Sequence, residues 1–68
     1  MQIDEITNRI SNAMKVSSEQ ELSSVSVVFN SHEVEEKKLK QALTLFAANV
    51  ERVSIWLSNE SYYVEINW

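Results

Sequence analysis

The chain has 68 residues, without cysteine, glycine or proline, and six basic against ten acidic side chains give a net charge of −4. This length supports one small hydrophobic core, so residues 1–68 are predicted to form a single domain. The composition excludes a disulfide framework, a thiolate metal site and a glycine-rich phosphate loop, and the acidic balance disfavours binding to nucleic-acid phosphates.

The first element is predicted to be a helix over about residues 3–15. Its apolar residues recur at spacings of three and four, which places on one stripe Ile3, Ile6, Ile10, Ala13 and Met14. The polar segment VSSEQELSS follows and is predicted to be a connector. Within it, Ser18 and Glu21 have capping-box spacing, which predicts one isolated helical turn.

A strand and a second helix are predicted next. In residues 24–29, Val25, Val27 and Phe29 alternate with Ser24, Ser26 and Val28. This alternation and the frequent β-branched residues are typical of a strand. Asn30 and Glu33 have the capping-box offset, so a helix is predicted over about residues 31–48, with Asn49 ending it in the left-handed conformation. The predicted buried stripe comprises Leu39, Ala42, Leu43, Phe46 and Val50.

The remaining segment, VERVSIWLSNESYYVEINW, is predicted to be a β-hairpin. One register, with the turn centred on Asn59 and Glu60, sorts every side chain of both strands onto consistent faces. A four-residue loop over residues 58–61 is preferred, because glutamate is unfavourable at the positive φ that a two-residue loop requires. The alternative, a helix-turn-helix with Asn49 in the turn, places Ser58 where an apolar anchor is needed.

These elements predict an α+β domain of order α-β-α-β-β. Its sheet is mainly antiparallel with strand order 1-3-2, and both helices pack on one face; order 1-2-3, with a parallel pair, is the alternative. The covered face is predicted to carry Val25, Val27, Phe29, Val53, Ile55, Leu57, Tyr62, Val64 and Ile66.

The opposite face of this sheet has no element left to cover it. It is predicted to be a protein-binding surface formed by Val28, Arg52, Trp56, Tyr63 and Glu65. The alternative is that Trp56 and Tyr63 form a cross-strand pair that only stabilises the hairpin. Stacking of RNA bases on these rings is disfavoured. Arg52 is the one positively charged residue beside the rings, and the negative charge of Glu65 would repel RNA phosphates.

A second candidate contact surface is acidic and lies in or beside the helical layer. It comprises Glu19, Glu21, Glu33, Glu35 and Glu36. Together with Asp4 and Glu5, these carboxylates raise the hypothesis that the chain imitates DNA phosphates and occupies a basic channel.

Catalysis is not expected. His32 is the one histidine, and HEVEE matches only half of the zinc-protease pattern, since Glu36 stands where the second histidine belongs. His32 is interpreted as an exposed residue in the first turn of the second helix, and the serines lack a positioned base. We therefore predict no catalytic residues, no metal site and no cofactor.

The predicted setting is the cytoplasm. MQIDEITNRI mixes charges with apolar residues, unlike a signal peptide, and no run approaches the roughly 20 apolar residues that span a bilayer.

The function predicted from these features is that of a non-enzymatic inhibitor or antagonist. Such a module docks on a larger protein, as phage and mobile-element proteins do against defence or nucleic-acid-processing complexes. The alternative is a small transcriptional regulator that forms a homodimer through the open sheet face and contacts DNA through Lys37, Lys38 and Lys40.

Overall fold

The computed structural model describes all residues, 1–68, and contains two helices and three strands. The elements in chain order are α1 (Ile3–Glu19), β1 (Ser24–Asn30), α2 (Glu36–Ala47), β2 (Arg52–Ser58) and β3 (Ser61–Asn67). The predicted α+β class and the order α-β-α-β-β are confirmed.

The three strands form one antiparallel sheet of order β1-β3-β2. The hairpin has the predicted register, with Ile55 opposite Val64 and Trp56 opposite Tyr63. On its other edge β3 pairs with β1, which sets Val27 opposite Val64. The order 1-2-3 and the helix-turn-helix alternatives are therefore excluded.

The core lies between the helices and one face of the sheet. α1 contributes Ile6 and Ile10, and the strands contribute Val27, Phe29, Val64 and Ile66. From α2 come the predicted Leu39, Ala42 and Leu43, while Phe46 and Val50 pack at the margin. The Arg9 guanidinium lies 4.9 Å from the centre of the Phe29 ring and covers it.

One member of the predicted covered face lies outside this core. Val25, Val53, Ile55 and Tyr62 are half-buried, whereas the side chain of Leu57 is 59% exposed. Leu57 points to the helix side of the sheet, but it stands near the end of the outermost strand, beyond the cover that α2 provides. The prediction that Leu57 is covered is wrong.

The first helix runs four residues further than predicted and absorbs the expected separate turn at Ser18. It ends at Glu19 with two bonds typical of a Schellman motif: Leu22 N–H donates to Ser17 O at 2.9 Å, and Glu21 N–H to Ser18 O at 3.0 Å. Glu21 takes the left-handed position at φ 61°. Because glutamate stands where glycine is usual, the sequence did not mark this helix end.

The second helix begins at Glu36 and not at residue 31. Asn30 makes a turn and does not cap the helix: its Oδ1 accepts from His32 N–H at 2.8 Å, and its carbonyl accepts from Glu33 N–H at 3.0 Å. The intervening turn inserts Val34, which is 4% exposed, into the core. Val34 is absent from the predicted stripe, because its spacing of five residues from Leu39 does not fit the three-and-four pattern of a helix that runs from residue 31.

Two further local predictions are wrong. α2 ends with Ala48 in a right-handed conformation, and Asn49 does not have positive φ. The hairpin loop has two residues, Asn59 at φ 50° and Glu60 at φ 63°, as in a type I′ turn. The strain at Glu60 is offset because its carbonyl accepts a hydrogen bond from Ser31 N–H at 2.9 Å, which ties the turn to the end of β1.

Candidate protein-interaction surface

An apolar row crosses the open face of the sheet. Val28 of β1 lies opposite Tyr63 of β3, and Tyr63 lies opposite Trp56 of β2, so the three side chains stand in register. Successive side chains of a strand point to opposite faces, and the neighbours of these residues on each strand point to the helix side of the sheet. The row therefore lies on the face without helices, as predicted.

The two aromatic rings of this row are stacked on each other. Their centroids are 5.8 Å apart and the planes are inclined by 11°. Trp56 remains 47% exposed and Val28 43% exposed, while Tyr63 between them is half-buried. The stack therefore restricts the rotamers of both rings.

Polar residues occupy the sheet beside the row. Glu65 lies opposite Ser54 on one neighbour and Ser26 on the other, and its Oε1 accepts from Asn67 Nδ2 at 3.3 Å. An open polar recess of about 450 Å³ is lined by Glu51, Arg52, Glu65 and Asn67. Neither Arg52 nor Glu65 takes part in the two ion pairs of the chain.

The acidic candidates divide into two groups. Glu33, Glu35 and Glu36 lie around the start of α2, next to the start of α1, because the amino group of Met1 donates to Glu33 O at 2.8 Å. Glu19 and Glu21 lie at the other end of α1, roughly 25 Å away along its 17 residues. All five side chains are exposed, but they do not form one continuous surface.

His32 lies in the turn before α2 and not in its first turn, so that prediction is wrong. Its Nε2 is 3.6 Å from Glu60 Oε2, and both side chains are largely exposed. No three histidine, aspartate or glutamate side chains are grouped as metal ligands. The contact between His32 and Glu60 therefore joins two surface turns.

The three lysines of α2 that the alternative function assigns to DNA contact differ in their surroundings. Lys40 Nζ is 3.2 Å from Glu36 Oε1 on the same helix. Lys38 is half-buried, which leaves Lys37 exposed without an ion pair.

Sequence reasoning missed an apolar groove between α2 and β2. This open groove of about 340 Å³ is lined by Lys40, Leu43, Thr44, Ala47, Val53 and Ile55. The sequence predicted that the two helices together cover one face of the sheet, whereas they leave β2 partly bare.

Comparison of the chain with protein-family models, curated proteins and solved structures finds no match. Neither helix has both the length and the apolar character needed to cross a membrane.

Proposed function

We propose that this protein is a non-enzymatic interaction module that docks on a larger protein through the open face of its sheet. The observation that carries the proposal is the stacked pair of Trp56 and Tyr63, held in a cross-sheet row with Val28 and left without cover. Aromatic side chains are enriched at the centres of protein interfaces, where they supply large apolar contact at low entropic cost.

The surroundings of the row favour a protein partner over a nucleic acid. Arg52 and Glu65 bring one charge of each sign, and the flanking residues are mostly serines and asparagines. A polar rim around an apolar centre is the usual anatomy of a protein interface. A phosphate backbone, in contrast, requires several lysines or arginines on one surface.

The role that we propose for docking is inhibition of the larger protein in the cytoplasm. A module of this size without a catalytic constellation acts by occupying a surface that its partner needs. Proteins of phages and other mobile elements that antagonise defence or nucleic-acid-processing complexes work in this way, and we propose this class of partner.

The test is capture of partners from the native cell by wild-type protein and by Trp56→Ala and Tyr63→Ala. We expect each substitution to weaken capture of the specific partner at least tenfold, since loss of an interface anchor costs about 2 kcal/mol or more. Leu45→Ala is the matched control, because Leu45 is 61% exposed but lies on α2. Circular dichroism checks that all variants keep their helices.

If both aromatic variants capture the partner as well as wild-type protein does, the stacked pair only stabilises the hairpin and does not bind the partner. Loss of capture by Leu45→Ala instead would move the interface to the helical layer.

A further inference from the structure

The outer edge of β2 has unpaired backbone groups at three consecutive outward positions. In a hairpin with a two-residue loop, Ser58 and Ser61 form a hydrogen-bonded pair, and such pairs alternate along the strands. Trp56 and Ser54 therefore direct their N–H and C=O groups to β3. Val53, Ile55 and Leu57 direct theirs outward, where β2 has no neighbour.

The side chains of β2 do not protect this edge. Edge strands of natural proteins usually carry charges, prolines or bulges that prevent pairing with another chain. Within β2 the single charged residue is Arg52, at its first position, and the strand continues with apolar residues and serines. An edge of this kind is suited to accept another strand.

The helix side of the same edge is also apolar and incomplete. The groove beside β2 has Leu43, Ala47, Val53 and Ile55 as its apolar lining. Leu57 continues this surface along the strand and is 59% exposed. A strand added to β2 would bring side chains of its own directly above this groove.

We propose that the added strand is β2 of a second copy of this chain, antiparallel and centred on Ile55. This register sets Ile55 opposite Ile55 of the second copy and Val53 opposite Leu57 of the second copy. All outward groups of these residues are then paired in about six new hydrogen bonds. Each exposed Leu57 is placed over the groove of the other copy, next to Val53.

The charges of β2 agree with a second copy as occupant. In the proposed register Arg52 faces Ser58 of the second copy, so no like charges are opposed, and the two arginines lie at opposite ends of the new strand pair. Lys40 lines the groove near Ile55, but its Nζ is 3.2 Å from Glu36 Oε1, which keeps this part of α2 locally neutral.

The area that a dimer buries is a small share of the surface of this chain. A standard interface buries about 800 Å² of each partner, which is under a fifth of the 4571 Å² surface of this chain. The proposed dimer surface combines the free edge of the seven residues of β2 with the four groove residues of α2. The dimer would have one continuous sheet of six strands. The apolar row of Val28, Tyr63 and Trp56 from each copy would lie on the open face of this sheet.

Sedimentation of the full chain over a wide concentration range tests this dimer. We expect wild-type protein to dimerise, and Leu57→Lys to raise the dimer dissociation constant at least about 100-fold, because the new charge would be enclosed without a partner. Leu45→Lys is the matched control, since Leu45 is 61% exposed on α2, and it should dimerise like wild type. Trp56→Ala should also remain dimeric.

Hydrogen exchange of the wild-type chain gives a second readout that needs no substitution. The amides of Val53, Ile55 and Leu57 should become protected as the protein concentration rises. Those of Ser26 and Val28, which face outward on β1, should exchange rapidly at every concentration.

A monomer at all concentrations, with rapid exchange at these three β2 amides, would overturn the proposal. A dimer that survives Leu57→Lys and is lost in Trp56→Ala would also overturn it, in favour of pairing through the open face. A monomer leaves docking to a larger protein untouched, because docking is measured by capture. Pairing through the open face would instead place a second copy on the surface proposed for docking.

Discussion

Glu21 and Glu60 hold backbone conformations that glycine usually provides. Their φ angles are 61° and 63°, in the left-handed region, where a residue with a Cβ atom is disfavoured. The chain has no glycine, so each turn is closed by backbone hydrogen bonds in spite of this cost. Part of the stability of the fold is therefore lost at two surface positions that do not belong to the docking row.

Replacing Glu60 by glycine is expected to stabilise the protein. Relief of the left-handed strain exceeds the entropy that glycine adds to the unfolded chain, so the free energy of unfolding should rise by about 0.5 to 1 kcal/mol. Urea denaturation of Glu60→Gly measures this change. Glu33→Gly is the control, because Glu33 is an exposed turn residue without positive φ, and it should give no gain. A lower midpoint for Glu60→Gly would show that the contact with His32 outweighs the strain.

At the scale of elements, the hairpin could be predicted, because alternation over two strands leaves one register that places every apolar residue consistently. The sheet order could be predicted because a third strand between the first two makes both neighbouring pairs antiparallel. The ends of the helices could not be predicted from the sequence. Asn30 and Glu33 match a capping box, but Asn30 bonds the His32 amide within a turn. Asparagine and glutamate at this spacing fit both a capping box and this turn. The burial of Val34 in the core decides which of the two forms.

Val34 is expected to anchor the segment between β1 and α2. Val34→Ala removes two buried methyl groups and leaves a cavity, so the free energy of unfolding should fall by roughly 1.5 to 3 kcal/mol. Val16→Ala, at a position of α1 that is 53% exposed, is the control and should change stability little. Equal stability of the two variants, measured by urea denaturation, would mean that the turn is not held by Val34.

At the scale of the whole molecule, the open sheet face followed from counting elements: two helices cover one side, and nothing remains for the other. The groove beside β2 could not be found in this way. Its existence depends on how far α2 lies from the outer strand, which neither periodicity nor composition encodes.

The charge of the whole molecule gives a prediction about DNA. With a net charge of −4, and with Lys40 paired to Glu36, the protein should not bind mixed-sequence duplex DNA even at low salt. A fluorescence titration measures this. Binding that weakens steeply as salt is added would contradict the docking proposal and support the transcriptional regulator. Lys37→Glu would then be expected to abolish that binding.

The central position of β3 has a consequence for the order of events during translation. β1 leaves the ribosome well before β3, so Val27 of β1 has no strand partner until Val64 of β3 has been synthesised. Until then β1 is an apolar segment whose strand edges are both unpaired. Chaperones that hold such segments on emerging polypeptides would have their best opportunity in that interval.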